Sequence, residues 1–484
     1  MVELIENADG FRYVVVEKQI MEQIHDGTLN PGDKLPSLRK LSSRLHVGLA
    51  TVNQAYLELE RKGVVEARPR SGFYVRSTFR KMPEPPCRQH SEPLVPTKAT
   101  RGELIRTVLK GVGRKDILPF GVATIGQELL PIKALNRMLT TVIRETPLAA
   151  AQYESIEGNF ELRRQIAMHV IEEGVTASPE EIIITSGCQE ALNIALRALT
   201  RPGDIVLITV PAYYCFLHLL ENLGLRAVEI SSCPESGINP DDVRRAVSMN
   251  DVKVCIFNPN FNNPDGSLTP DEAKRDIVAA LAEKNIPLIE DEVYADIHFG
   301  PLRPLSFRTF DRKGLVIQCS SFSKTLAPGY RVGWIMPGRF FNKIFHVKAT
   351  TNICTATPTQ MAVAEYLRAG LYRRHLKQLR AGIEEQMRHM QYLVSRYFPE
   401  DTKVTHPLGG AVLWLELDAK VDSVDYFYRA LEQGIGVAPG VVFSSQDKFA
   451  NYIRLNCGHA VSQDLEKGIQ VLGKLAGTLA FSAK

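Results

Sequence analysis

The stretch from Ser320 to Gly333 reads Ser-Ser-Phe-Ser-Lys-Thr-Leu-Ala-Pro-Gly-Tyr-Arg-Val-Gly. It sets Lys324 among small hydroxyl residues, with Arg331 beyond a bend at Pro328 and Gly329. A lysine in a polar turn can form a Schiff base with an aldehyde. Ser321, Ser323 and Arg331 can hold a phosphate by hydrogen bonds and charge. An aldehyde and a phosphate on one ligand describe pyridoxal phosphate (PLP), which is held in this way on lysine. Taken alone, the stretch also fits a surface lysine beside a loop, so the elements around it must decide.

Leu315 to Cys319, just before the lysine loop, is a short apolar run that predicts a buried strand. Ile182 to Thr185, Ile205 to Val210, Val252 to Phe257 and Pro287 to Glu290 predict further strands, and Gln189 to Leu199 a helix. Such alternation predicts an α/β fold with a largely parallel sheet covered by helices. Ligands of such sheets bind outside the carboxyl ends of the strands, and each strand here is followed by a residue the cofactor needs. Gly187, Cys188 and Gln189 open a helix whose free N–H groups can bind phosphate. Tyr213 can stack on a pyridine ring, and Asn263 and Tyr294 can bond its phenolate oxygen. Asp291 can pair with the pyridinium N–H and keep it protonated. Lys324 carries the cofactor and shuttles the proton once displaced. Singly, Asp291 also fits a strand-end turn, Tyr213 a core ring and Asn263 a turn former. Their joint occurrence after the strands favours the cofactor reading.

The whole chain has 484 residues, 44% hydrophobic and 23% charged, an ordinary globular composition. The net charge of +4 means that any nucleic-acid contact must come from local clustering. The eight cysteines are scattered with no C-x-x-C pair, which argues against a zinc site and for a reducing compartment. The start has no signal-peptide core, and no apolar run is long enough to cross a bilayer, so the expected location is cytoplasmic.

Such a cluster lies in the first eighty residues. Val16, Ile20 and Ile24 recur at helical spacing. A second helix opens at Ser37 with Leu38, Leu41 and Leu45 on one face, and a third runs from Leu49 through Arg61. Val64 to Ala67 and Gly72 to Val75 predict a hairpin. The pattern is a winged helix-turn-helix. Between Lys34 and Arg80, Lys34, Arg39, Lys40, Arg44, Arg61, Lys62, Arg68, Arg70, Arg76 and Arg80 face only Glu58, Glu60 and Glu66, an electrostatic footprint for DNA phosphate. The alternative is a small packing domain with a solvated charged face. Residues 82 to 100 hold Pro83, Pro85, Pro86, Pro93 and Pro96 and predict a semi-extended linker. The expected domains are 1–80, a linker at 81–113 and a body at 114–484.

The head resembles the GntR-type DNA-binding domain through Gly27 to Arg39, Thr51-Val52, Gly63 to Val65 and Arg70 to Val75. That resemblance implies DNA contacts at Arg39, at Leu49, Ala50 and Thr51, and at Arg70 and Gly72. Many members carry Ser-Arg where this chain has Gly48-Leu49, and a leucine cannot read a guanine edge as arginine does. From about Leu118 to Leu475 the chain resembles the fold type I, aspartate-aminotransferase-like family. The resemblance rests on Gln152 to Gly158, Leu162-Arg163, Asp291 to Tyr294, the Lys324 loop and Tyr452 to Asn456. It implies a smaller C-terminal α/β subdomain beside the large PLP-binding domain, and gives Arg454 the task of gripping a substrate α-carboxylate. Joined in one chain, the two parts resemble the MocR-type transcription regulators. That implies a head-to-tail homodimer on double-stranded operator DNA, with PLP and an amino acid or amine as effectors. A regulator that senses such a compound, an aminotransferase with an accessory head, and a structural protein with a dead pocket all remain open. The basic head favours the first, and the intact Lys324 argues against the third.

Overall fold

The computed structural model describes residues 12–25, 28–29, 33–45, 47–61, 64–68, 71–75, 84–86, 94–98, 102–111, 113–114, 116–460 and 462–482. The chain divides into two compact units, Met1–Met82 and Pro83–Lys484.

In the first unit, α1 (Arg12–His25), α2 (Leu38–Leu45) and α3 (Leu49–Arg61) precede the strands β1 (Val65–Arg68) and β2 (Gly72–Val75). The apolar residues that recur at helical spacing meet in one core: Val16, Ile20, Leu41, Val52, Ala55, Tyr56 and Leu59 are buried, closed off by Val65 and Val75. The Ser37 hydroxyl accepts from the Lys40 N–H at 3.3 Å, as expected of an N-cap. The Tyr56 hydroxyl donates to the Pro36 carbonyl at 2.8 Å, which ties α3 to the entrance of α2. The strands pair antiparallel with Val65 opposite Val75. Leu35 N–H donates to Phe73 O at 2.9 Å and Val75 N–H to Asp33 O at 2.8 Å, so the wing gains a third short edge.

The second unit is built on a mixed, mainly parallel sheet. Its main strands in chain order are β3 (Thr97–Lys98), β4 (Ile183–Thr185), β5 (Ile205–Val210), β6 (Arg226–Cys233), β7 (Val252–Phe257), β8 (Leu288–Asp291), β9 (Val316–Ser321) and β10 (Gly333–Met336). They lie in the order β3-β6-β5-β7-β8-β9-β10-β4. From β6 through β9 all neighbours are parallel, whereas β10 is antiparallel to both β9 and β4. Strands β6 and β10 escape a search for apolar runs. Glu229 interrupts the first, yet is buried because Ser444 Oγ and Ser445 N–H donate to it. The second is short and begins with glycine. A smaller antiparallel sheet follows, with β11 (Lys403–Val404), β12 (Val412–Glu416), β14 (Tyr452–Asn456) and β13 (Ala438–Pro439) in that spatial order. The helices Leu371–Tyr397, Ser423–Glu432 and Gln463–Ser482 accompany it. This is the C-terminal α/β part that was expected.

The expected linker at 81–113 needs correcting where it is described. Leu94 is buried, and Thr97 and Lys98 pair antiparallel with Ala227 and Arg226. The helix Gly102–Leu109 buries Ile105 and Val108 in the main core. Proline content marked the segment as extended, but three apolar side chains and an open sheet edge are enough to dock it.

Candidate functional site

The lysine loop is shaped by the hairpin between β9 and β10. Ser321 pairs with Gly333, and Phe322 N–H donates to Val332 O at 3.0 Å, so the intervening residues fold back over the sheet end. Ser321 and Ser323, Lys324 and Arg331 thereby share one pocket. Arg331 adopts a left-handed backbone, φ +53°. Its guanidinium donates to Ser186 O at 2.8 Å, Pro328 O at 3.3 Å and Ser323 Oγ at 3.4 Å. That set of partners holds a conformation that costs a non-glycine residue free energy.

Ser186 and Gly187 join β4 to the helix α4 (Cys188–Leu199). Gly187 has φ +89°, and a Cβ there would stand 2.5 Å from Arg331 Nη2. A Cβ on Gly333 would stand 2.6 Å from the Gly187 carbonyl carbon. Only glycines let the two segments come this close. The result is a cradle of first-turn N–H groups, two hydroxyls and a guanidinium, a donor set that fits a phosphate.

Lys324 Nζ donates to the Ala123 carbonyl and stands 5.7 Å from the centroid of the Tyr294 ring. Burial, reinforced by the Arg454 charge, lowers its pKa to about 8. A lysine so placed is neutral often enough to act as a nucleophile. Asp291 ends β8, where the Val293 N–H donates to Oδ1 at 3.1 Å and the Cys188 thiol to the same oxygen at 3.4 Å. Burial raises its pKa to about 6 against those hydrogen bonds. Tyr213 precedes α5 (Tyr214–Asn222), its ring 5.5 Å from Phe216 in edge contact.

Cys188, Gln189, Tyr213, Asn263, Asp291, Tyr294, Ser321, Ser323, Lys324 and Arg331 all line one pocket, which encloses about 590 Å³ of empty space including its mouth. Gly187 borders it through the contact with Arg331. Arg454 lies behind Asn263. It is fully buried on β14, with Nη1 donating to Asn263 Oδ1 at 3.0 Å and Nη2 to the Gly121 carbonyl. Its Nε has no partner, and among the described residues no carboxylate pairs with it.

Sequence reasoning missed Asn258. It lines the pocket, is 3% exposed, and its Oδ1 has no hydrogen-bond partner. It follows β7 directly, and the register of Glu290 opposite Phe257 sets it beside Asp291. The rule that functional residues follow strand ends applied to it as well, but the prolines and asparagines after it drew attention to Asn263 instead. A buried amide oxygen without a partner costs free energy that a ligand donor or bridging water would recover.

In the first unit, Arg39 and Ala50 are exposed, Leu49 is 47% exposed and Thr51 is half-buried. Gly72 is exposed with φ +106°, and Lys34 Nζ lies 5.8 Å from the Tyr74 ring centroid beside it. Arg70 lies outside the described residues. Among the described residues no helix is long and apolar enough to cross a membrane, and no group of His, Cys, Asp and Glu could hold a metal ion.

Comparison with known proteins covers both units. Residues 129–472 match the family described as aminotransferase class I and II, and residues 12–75 match the bacterial regulatory proteins of the gntR family. The chain is 36% identical over 470 residues to the uncharacterized HTH-type transcriptional regulator YdcR of Escherichia coli K12, spanning 96% of this chain and 98% of that protein. It is 33% identical over 463 residues to the uncharacterized HTH-type transcriptional regulator YjiR of the same organism, spanning 96% and 98%. Among solved structures, LysN, the alpha-aminoadipate aminotransferase of Thermus thermophilus complexed with N-(5'-phosphopyridoxyl)-L-leucine, superimposes with a TM-score of 0.72 at 28% identity. The match covers 78% of this chain and 95% of that one. With the pocket described above, these matches lead to one conclusion: the chain belongs to the MocR-type transcriptional regulators, in which a gntR-family DNA-binding head is fused to a class I and II aminotransferase domain that binds pyridoxal phosphate.

Proposed function

We propose that this regulator senses an amino compound bearing an α-carboxylate at its PLP site and transmits occupancy to its DNA-binding head. Bound PLP supplies a covalent anchor on lysine and a ring that draws electrons from an attached amine. The residues divide the remaining work. Gly187, Cys188 and Gln189, through their backbone, hold the phosphate with Ser321, Ser323 and Arg331. Tyr213 covers the ring face. Asp291 keeps the ring nitrogen protonated. Arg454 fixes the oxygen of the Asn263 amide, which leaves the Asn263 nitrogen, with the Tyr294 hydroxyl, to donate to the ring oxygen. Lys324 would carry the cofactor and, once free of it, would hold or return a proton beside it.

The observation that carries the effector reading is Arg454. A fully buried guanidinium with no carboxylate partner and an idle Nε is a costly arrangement. A carboxylate arriving from solvent would pair with it in the fork geometry that arginine favours. In the head, Arg39, the first turn of α3 and the wing at Gly72 and Arg70 are the proposed operator contacts.

A homodimer in the cytoplasm completes the proposal. Leu148 at 78%, Tyr153 at 84% and Phe160 at 53% exposure leave large apolar surface uncovered on neighbouring segments, and a second copy would bury it.

The test is reciprocal. Amino acids and amines are screened by the change in cofactor absorbance, and each hit is titrated with and without operator duplex. Linkage requires operator to change effector affinity by the same factor that effector changes operator affinity. Tight effector binding that ignores operator would defeat the sensing proposal. The second reading, a true aminotransferase, draws support from the complete set of pocket residues. Steady turnover with an amino donor and a keto acid would favour it.

A further inference from the structure

We propose that the Cys188 thiol is a positioning residue for Asp291: it sets which carboxylate oxygen meets the cofactor's ring nitrogen and ties that contact to the phosphate cradle. The inference rests on the assignment of Asp291 made above. Cys188 is the first residue of α4, so one residue contributes to the cradle through its backbone and to the ring site through its side chain. Its sulfur lies 3.4 Å from Asp291 Oδ1. Burial pushes the thiol pKa well above the ordinary value, so the sulfur keeps its proton and is the donor.

Two donors converge on Oδ1. The Val293 N–H comes from the next turn of the same segment, whereas the thiol reaches across from another element. Oδ2 accepts no hydrogen bond from the described residues, and Asp291 lines the pocket. A carboxylate rotates freely about its last torsion unless both its faces are held. With Oδ1 held by the thiol and the amide, Oδ2 is the oxygen presented to the ligand. A donor to the carboxylate also favours its charged form, against the burial that raises it. The other titratable groups that act on this pair are Lys324 from the loop after β9, Cys319 on β9, Tyr294 after β8 and Cys215 on α5.

The experiment uses the full chain loaded with PLP and follows its visible absorbance across pH, together with PLP affinity. Cys188→Ala should weaken PLP binding about three- to tenfold, the range of an ordinary hydrogen bond, because a thiol is a weak donor. It should also move the pH midpoint of the spectrum up by about half a unit, because a less protonated ring withdraws less charge from the nitrogen joined to Lys324. Cys188→Ser keeps a donor and should stay near the wild-type midpoint. Cys188→Val removes the donor with more volume retained, and serves if the alanine variant does not fold. In an Asp291→Asn background the effect of removing the thiol should vanish. Equal shifts in the serine and alanine variants, no shift on losing the donor, or the same shift in the Asp291→Asn background would each overturn the proposal. A wild-type midpoint in Asp291→Asn itself would instead overturn the assignment of Asp291.

Discussion

The head and the body use their residues in opposite ways. In the head, Arg39, Leu49 and Ala50 stand in solvent on the helix-turn-helix surface. In the body, Asp291, Asn263 and Arg454 are almost fully buried; Arg454 orients the Asn263 amide, and the Cys188 thiol and Val293 N–H orient Asp291. A surface that meets a polyanion gains affinity from charge and ion release, and tolerates imprecise side-chain placement. A pocket that must hold one ring against one lysine needs fixed angles, and it obtains them by burial and by shifted pKa values. Perturbing the head should therefore change affinity in a graded, salt-dependent way. Perturbing the body should produce losses of a whole function.

The largest expected effect tests the body. Lys324→Ala should abolish the borohydride-fixed attachment of PLP, read by peptide mass. A variant still labelled at another lysine would place the nucleophile elsewhere. Next is Arg454→Ala, which should weaken carboxylate-bearing effectors by about 2–5 kcal/mol, the cost of truncating a buried charge pair. Amines that lack a carboxylate should bind as before. Equal losses for both classes would mean that Arg454 serves packing and not recognition.

Arg39→Ala should weaken operator binding by about 1–3 kcal/mol if it contacts a base, or lessen the salt slope if it contacts phosphate. PLP affinity should not change. Unchanged affinity and unchanged salt slope would remove Arg39 from the interface. The smallest effect separates the two regions by pH. Lys324 must lose its proton before it attacks an aldehyde, and its pKa is lowered to about 8. The rate at which cofactor-free protein captures PLP should therefore rise with pH through a midpoint of about 8. Operator affinity should stay nearly flat over the same range, because Lys324 takes no part in it. A capture rate that shows no midpoint near 8 and is still climbing at about pH 10 would show that the pKa of the attacking amine is not lowered.

The head was legible because its signals are local. Helix spacing at Val16 and Ile20, at Leu41, and at Val52, Ala55 and Tyr56 names the core, and those side chains are the ones buried. In the body, the pocket residues were legible for a related reason. A strand in a parallel sheet ends at a known face, so a residue directly after an apolar run has a known destination. Asp291, Tyr213, Asn263 and Lys324 were found by that rule and line the same pocket.

What stayed hidden depends on which strands become neighbours. The strand Ile183–Thr185 comes first of the strands predicted in the body, yet it sits at the far edge, beyond the antiparallel β10. That placement, and no local pattern, brings Gly187 against Arg331 and so builds the phosphate cradle. Likewise the Arg454 hydrogen bond to Asn263, the Cys188 thiol on Asp291 and the docking of residues 94–98 and 102–109 join parts far apart in sequence. Propensity and periodicity act over a few residues, so they name elements and their ends. The side chains that face one another across the pocket are chosen by the long-range packing of the sheet, and burial there then sets the charge states of Lys324 and Asp291.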